Sequence, residues 1–518
     1  MNSLLSSISS RRRPGRTGVM FLGLSCLLGG IARNADGAAV IRGPYLQQGT
    51  PTSLIVRWRT DTAHVGRVRY GPSATDLSAF ADESDSTTNH AVQLANLAPD
   101  TVYFYALGLP AQTLNASTNY FFRTAPPAGS RRPFRVWGLG DFGFTNASAG
   151  PVRDAYSNFT SNRYTDLWLM LGDNAYHGGL DAVWQIAVFN TYSNLLGQTP
   201  VWSCIGNQET FNLSTVSNTA PYFENFSFPT NAEAGGVASG TEKYFSFDYA
   251  NVHFICLDSM SSARTNDSPM LLWLEADLQQ TTHEWTVAFW HHPPYSKGSN
   301  DSDVRNEQIE MRTNAVRLLE AYGVDLVLSG HSHSYERSYL IDGHYGPSTT
   351  FSTNTMLKNG GSGRADGAGS YDKPATGPAA HEGTVYLVSG SGASLGGGPL
   401  NHPVMYRSRN LLGSVVLDFE ANRLDAKSLL STGVIDDYFT MTKGANPLRI
   451  LAAQPSGADL LVSWQSVAQR TYRVQYSPVP GLPWTNLAGP FSGDGAVRTV
   501  PIPIGATNGF FRLSTPGD

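Results

Sequence analysis

Three cysteines in 518 residues are too few to staple a chain of this length. Cys26 lies in an N-terminal apolar stretch, while Cys204 and Cys256 sit inside strand-like apolar runs and are expected as buried free thiols. Positive charge is scarce as well. Lys and Arg number 36 against 41 Asp and Glu, a formal charge of −5, which argues against nucleic acid or an anionic membrane as the main partner. The N-terminal apolar run, residues 19–32, stops short of the ~20 residues that cross a bilayer, so no stable membrane span is expected.

What that run does resemble is an export signal. Arg11, Arg12, Arg13 and Arg16 precede it and the small residues of ARNADGAA follow, so residues 1–39 are read as a cleaved signal peptide and the protein as secreted or periplasmic. A lipoprotein site at Cys26 is disfavoured by Gly23, where such sites carry Leu, and the Ser10-Arg11-Arg12 start lacks the rest of a twin-arginine signal. Without residues 1–39 the chain has 31 basic and 40 acidic residues, a formal −9.

The length suggests roughly three domains, and 52 Gly with 30 Pro suit a globular protein with many turns. Residues 40–127 read as all-β: SLIVRWRT, GRVRYG, HAVQLANL, TVYFYALG and NYFFRTAPP are short runs separated by turn residues. Residues 445–518 behave alike, with DLLVSWQS, TYRVQYS, PWTNL and GFFRLS. Both ends are expected to form fibronectin III-like β-sandwiches that pack or space, with contact to a surface polymer as the alternative role. Trp58 precedes Tyr70 by twelve residues and Trp464 precedes Tyr476 by the same interval, an echo that would follow from a shared sandwich. Between them, residues 128–444 alternate apolar runs with helical patterns, such as Leu271, Leu274 and Leu278 after a Ser268-Pro269 start, and Ala315, Leu318, Leu319 and Tyr322. That alternation marks an α/β layer fold. The Gly- and Ser-rich stretch 343–382 is expected to be a long surface loop near the site.

The chemistry lies at the ends of the apolar runs. FRVWGLGD stops at Asp141, LWLMLGD at Asp173, VWSCIGN at Asn207, WTVAFWH at His291 and DLVLSGH at His331. Each ends on a residue able to ligate a metal, and open α/β sheets place their sites at the carboxyl ends of strands. An unpaired carboxylate cannot sit inside a buried strand, so Asp173 is expected just past the strand end, facing cations. The donors are oxygen and imidazole without thiolate, which suits Fe, Mn, Zn or Mg. Two metals are expected, because His331 and His333 fall on one side of an extended segment and the candidates exceed one tetrahedral site. A bridged pair of cations is a recurring arrangement for phosphate-ester hydrolysis.

The blocks GDFG, GDNAY, GNQE, FWHHPPY and GHSHSYER resemble, in order, those of the calcineurin-like metallophosphoesterases. Tyr176, three residues after Asp173, together with IRGPYLQQGTPTSLIVRWRT and LAPDTVYFYALG, is similar to the purple acid phosphatases within them. The resemblance covers residues 40–440 and implies an α/β metallophosphoesterase sandwich core. It also implies a binuclear centre, with Asp141, Tyr176 and His333 on a ferric ion, Asp173 bridging, and Asn207, His291 and His331 on a divalent Fe, Zn or Mn. The implied activity is hydrolysis of phosphate monoesters by a metal-bound hydroxide, with Asp173, Gln208 and His292 as catalytic and Asn207, Gln208 and Asn300 as substrate-binding residues.

Two departures matter. Gln208 stands where the family's GNHE or GNHD block has a histidine that binds substrate and protonates the leaving group, and Asn300 lies where related chains often have histidines. Both amides donate hydrogen bonds, but neither can serve as a general acid. His292 and His402 are the remaining proton-donor candidates. The rival readings are a phosphodiesterase on the same scaffold and a metal-dependent protein that binds phosphorylated ligands with little turnover.

Overall fold

The computed structural model of the chain describes residues 37–210, 221–444, 450–466, 471–479, 483–493, 496–503 and 509–514. Residues 1–36, nearly all of the expected signal peptide, lie outside the described residues. Among the described residues no helix is long and apolar enough to cross a membrane.

Two seven-stranded sheets face each other at the centre. One runs Tyr371–Lys373, Ile435–Lys443, Arg423–Leu430, Gly413–Glu420, Phe134–Leu139, Leu167–Met170 and Val201–Ser203. The other runs Met405–Arg409, Tyr335–Ser338, Val385–Ser389, Leu326–Ser329, Trp285–Phe289, Val252–Cys256 and Phe245–Tyr249. Their inner faces share a core in which Trp202, Phe247, Phe254 and Phe419 are buried, while Trp137 and Trp168 are buried on the outer face of the first sheet against Tyr156 and Tyr192. The central strands are parallel and buried along their whole length, which is why the sequence reads there as unbroken apolar runs rather than as alternation. The outer face of the second sheet carries Pro269–Gln280, started by Ser268 as expected, with Leu271, Leu274 and Leu278 in a second core. Ala315 and Leu319 are buried in the same core, while Leu318 and Tyr322 pack at its edge. Cys204 and Cys256 are buried and unbonded to each other.

The stretch 343–382 departs from expectation. It contributes Leu357–Asn359, paired with Leu340–Ile341, and Tyr371–Lys373, a parallel edge strand of the first sheet. Phe351 packs at the edge of the second core, and no residue of the stretch lines the site cleft described below. Apolar anchors among the glycines bind it to the body of the protein.

At the N-terminal end, SLIVRWRT and GRVRYG form one strand, Leu54–Gly71, rather than two. It pairs along its length with Ala79–Leu94, at one end with Val40–Gln47 and at the other with Val102–Leu109, and register shifts near residues 60–66 bend the sheet over a core around Trp58. Arg42 and Arg59 reach from this unit to Asp181, at 2.8 and 2.6 Å, and so buttress the segment that follows Tyr176. The C-terminal residues form two three-stranded antiparallel sheets around Val462, Trp464, Tyr472, Val474, Ile502 and Leu513. The aromatic echo has no structural counterpart: Trp58 and Tyr70 share one strand, whereas Trp464 and Tyr476 lie on strands of different sheets.

Candidate metal centre and its cleft

Beyond Leu139, Met170, Ser203, Phe289 and Ser329 the five central strands end on the same side, and their loops bring Asp141, Asp173, Asn207, His291 and His331 together. The backbone turns sharply there. Asp141, Asp173 and His331 have φ of 57°, 52° and 64°, a left-handed conformation that costs a residue with a Cβ about 1–3 kcal/mol and that clusters at functional sites. The glycine before each ligand has a steric reason. A Cβ on Gly172, itself at φ +85°, would lie 2.5 Å from His291 Nδ1, and one on Gly330 would lie 2.5 Å from Asp141 Oδ2.

The side chains gather in two groups. In the first, Tyr176 Oη lies 2.8 Å from His333 Nε2 and 3.3 Å from Asp141 Oδ1, and His333 Nε2 is 3.4 Å from Asp141 Oδ1. In the second, Asn207 Oδ1 lies 3.1 Å from His291 Nε2 and 2.9 Å from His331 Nδ1. Asp173 joins them, with Oδ1 3.4 Å from His291 Nε2 and accepting the Gln208 N–H at 2.8 Å. His291 Nδ1 donates to the Leu171 carbonyl at 2.8 Å, which orients the ring and leaves Nε2 turned inward. With Nδ1 carrying the proton, a neutral His291 presents a lone pair to the lone pairs of Asn207 Oδ1. A cation between them is the arrangement that this donor set fits.

The charges say the same. Burial lowers the pKa of His291, but Asp173 and Asp141 outweigh it and raise it to about 10. The pocket therefore demands positive charge, which a proton on His291 meets in one way and a bound cation in another. Burial, with Asp141 and Asp173 beside it, drives the Tyr176 phenol far above its ordinary range, so a phenolate requires a strong cation. Burial and His291 hold His331 down at about 3, neutral and free to ligate.

Glu209, quoted above only as part of the GNQE block, is the residue that holds the loops. It is 3% exposed, and its carboxylate accepts the N–H groups of Asp173, Asn174, Ala175 and Gly206 at 3.1, 2.5, 3.1 and 2.7 Å. One side chain thereby ties the end of strand Leu167–Met170 to the end of Val201–Ser203. Its position two residues after Asn207 was the available signal.

Against known proteins, residues 134–335 match the family model "Calcineurin-like phosphoesterase", a span that contains the first four blocks and the fifth as far as Tyr335, and residues 43–124 match "Purple acid Phosphatase, N-terminal domain". The chain thus carries a calcineurin-like phosphoesterase domain after a purple acid phosphatase N-terminal domain. It is 28% identical over 281 residues to purple acid phosphatase 15 of Arabidopsis thaliana, covering 49% of this chain and 50% of that one. Its identity to purple acid phosphatase 13 of the same plant is 28% over 322 residues, covering 55% and 56%. The chain thus spans between half and two thirds of the length of the curated relatives it matches first. Among solved structures, purple acid phosphatase PPD1 from yellow lupin (Lupinus luteus) seeds superposes with a TM-score of 0.61 at 18% identity, covering 78% of this chain and 75% of that one. PhoD superposes at 0.56 and 14% identity, covering 82% and 94%. At those identities the two structures speak for the fold alone.

Above the two donor groups the chain has an open cleft of about 410 Å³. Asp173, Tyr176, Asn207, Gln208, His292 and Asn300, all singled out from the sequence, line it. Asn300 Nδ2 donates to the His331 carbonyl at 2.9 Å, so its amide helps fix that ligand's backbone. His292 is buried, with Nδ1 2.9 Å from Ser259 Oγ, and burial together with His331 and His291 holds its pKa well below the ordinary value. It faces the cleft as a neutral ring without an acidic proton to give. His402 is excluded as a proton donor: it is buried against Tyr295 and His344 and does not line the cleft. Met260 and Arg305, from loops, and Glu307, from the first turn of the short helix Asn306–Glu310, also line it, and their sequence carries no motif signal.

Proposed function

We propose that this protein is an exported, binuclear metal-dependent phosphatase that hydrolyses phosphate monoesters. The observation that carries the reading is the convergence of seven donors in two groups on the shared carboxylate of Asp173, at the floor of a cleft open to small molecules. Asp141, Tyr176 and His333 would hold one ion, in our reading ferric. Asn207, His291 and His331 would hold a divalent Fe, Zn or Mn, with Asp173 between the two. When bound, such a pair supplies the nucleophile at neutral pH and neutralises charge on the phosphoryl group. The chain's own residues do the rest. Glu209 and the left-handed turns hold the ligands in place before substrate arrives. Gln208, fixed by its N–H to Asp173, and Asn300 offer amide donors to phosphate oxygens. The Arg-rich start and apolar run support export, and residues 40–127, 128–444 and 445–518 are proposed as the three domains of the exported chain, the two end units as fibronectin III-like spacers.

A second reading, turnover of diesters or binding with little turnover, draws on Gln208 and Asn300, which leave the cleft without a ready proton donor. Metal-replete protein assayed on aryl monoesters, alkyl monoesters and diesters separates the readings. Hydrolysis of monoesters is expected. Preference for diesters, or phosphate binding without turnover, would replace it with the second reading.

A further inference from the structure

The cleft contains one permanent cation that no hydrogen bond or ion pair accounts for. The cations around it are spent on structure: Lys297 Nζ, in the loop after Pro294, lies 2.7 Å from Asp301 and 2.9 Å from Asp303, and Arg312, in the helical segment that follows, lies 3.5 Å from Asp303. Those contacts, with Ser348 N donating to Asp303 at 3.0 Å, pin the loop. Arg305, two residues on, is exposed and lines the cleft, and among the described residues its guanidinium has no hydrogen-bond or ion-pair partner. Its charge reaches the metal groups, since it contributes to depressing the pKa of both His292 and His331. Glu307 shares the cleft without pairing to it. Of the described residues lining the cleft, Arg305 is the sole Arg or Lys.

We infer that Arg305 grips the phosphoryl group of the substrate, supplying the cationic recognition that Gln208 and Asn300 cannot. A guanidinium offers paired N–H groups that match two phosphoryl oxygens and stays charged at every working pH, whereas amides give weaker, neutral contacts. The inference rests on the phosphatase reading for its substrate, a phosphate monoester dianion, but its binding test stands apart from turnover. Arg305 touches substrate through its charge and its N–H groups and moves no proton.

The test is calorimetric titration of metal-loaded wild type, Arg305→Ala and Arg305→Lys with inorganic phosphate, together with steady-state kinetics on an aryl phosphate. Arg305→Ala should weaken phosphate binding about tenfold or more and raise KM by a similar factor, with kcat falling far less than kcat/KM. Arg305→Lys should recover part of both. Metal content and thermal midpoint should not move, because the side chain is exposed and unpaired. Equal phosphate affinity in wild type and Arg305→Ala would overturn the inference while leaving a turning-over enzyme a phosphatase. Arg305-dependent phosphate binding without turnover would support the inference and overturn the monoesterase reading. A metal-loaded wild type that binds no phosphate would overturn both.

Discussion

Two clusters in this molecule are built from the same residue types and differ in what is left unspent. Asp248, His253 and His283 bring their ligand atoms as close together as Asp141, Asp173 and His291 do. In the first cluster, however, His253 Nδ1 lies 2.7 Å from Asp248 and Nε2 lies 2.8 Å from Asp277, whose other oxygen already accepts Val237 N and Ser246 Oγ. Both His253 nitrogens have met a carboxylate, and His253 and its partners sit on paired strands and a helix, with His253 opposite Asp248 in register. The Asp173 cluster sits past the strand ends on left-handed backbone, with lone pairs facing lone pairs and a cleft above. Composition and proximity therefore do not make a metal site; unsatisfied donors at an open strand end do.

The strongest way to break that contrast is to remove one carboxylate from each cluster. Asp173→Asn should lower phosphatase activity by on the order of 10³-fold and bring bound metal below two per chain by elemental analysis, since the charge between the two groups is gone. Asp248→Asn should leave metal content and turnover within a factor of two or so of wild type. Three metals per chain in the wild type, or two retained by Asp173→Asn, would reverse the assignment of the clusters.

Glu209→Ala should come next. It strands four buried N–H groups, each costly to leave unpaired, so a stability loss of about 3 kcal/mol or more is expected in thermal or denaturant unfolding. Metal affinity should fall about 10- to 100-fold, the usual loss when a group that orients ligands is removed. Unchanged metal affinity would show that the left-handed turns hold without it.

The His253 cluster predicts a pH effect of its own. Burial lowers its pKa, but Asp248 and Asp277 outweigh burial and raise it to about 9 from an unfolded value near 6.5. Its contribution to stability is therefore complete below about 6.5 and lost as pH rises through about 9, on the order of 3 kcal/mol in all. The advantage of wild type over His253→Gln in thermal midpoint should shrink from pH 6 to pH 10. A constant gap would mean that His253 is neutral in its carboxylate clamp.

Tyr176→Phe leaves the donor groups otherwise intact, so a smaller loss is expected than for Asp173→Asn. If the first group holds ferric ion, the oxidised wild type should show broad visible absorption from phenolate-to-iron charge transfer, and the variant should lose it. A colourless, active wild type containing only zinc or manganese would remove iron from the assignment. The smallest effect concerns the rim. Gln208→His should raise kcat/KM on alkyl phosphates about tenfold relative to aryl phosphates, because a proton donor helps most where the leaving oxygen is basic. An unchanged ratio would show that protonation is supplied by another group.

The floor of the site was legible because its residues follow buried parallel strands. A strand apolar on both faces ends abruptly, and the glycine and charged residue after it are visible in LGD, IGN and SGH. The rim was not. Met260 and Arg305 reach the cleft on loops and Glu307 from a helix start, and no periodicity connects them to Asp173. The continuous strand Leu54–Gly71 was missed for a related reason: a polar, glycine-containing stretch reads as a turn, although hydrogen bonds to Ala79–Leu94 carry it through. The stretch 343–382 was misplaced because glycine content outweighed Phe351, Leu357 and Tyr371, which bind it to the body of the protein.

The order of blocks, the donor types and the glycines before them are local properties of the chain, and the sequence by itself determined that an α/β sheet would present oxygen and imidazole ligands at its strand ends. Tertiary structure decided which of those lone pairs stay unspent, because that depends on partners dozens to hundreds of residues away. Asp277 neutralises His253, Glu209 gathers the loop N–H groups, and no described residue pairs with the Arg305 guanidinium. Electrostatics in a buried site falls off over a few ångströms in space, and distance along the chain does not measure it.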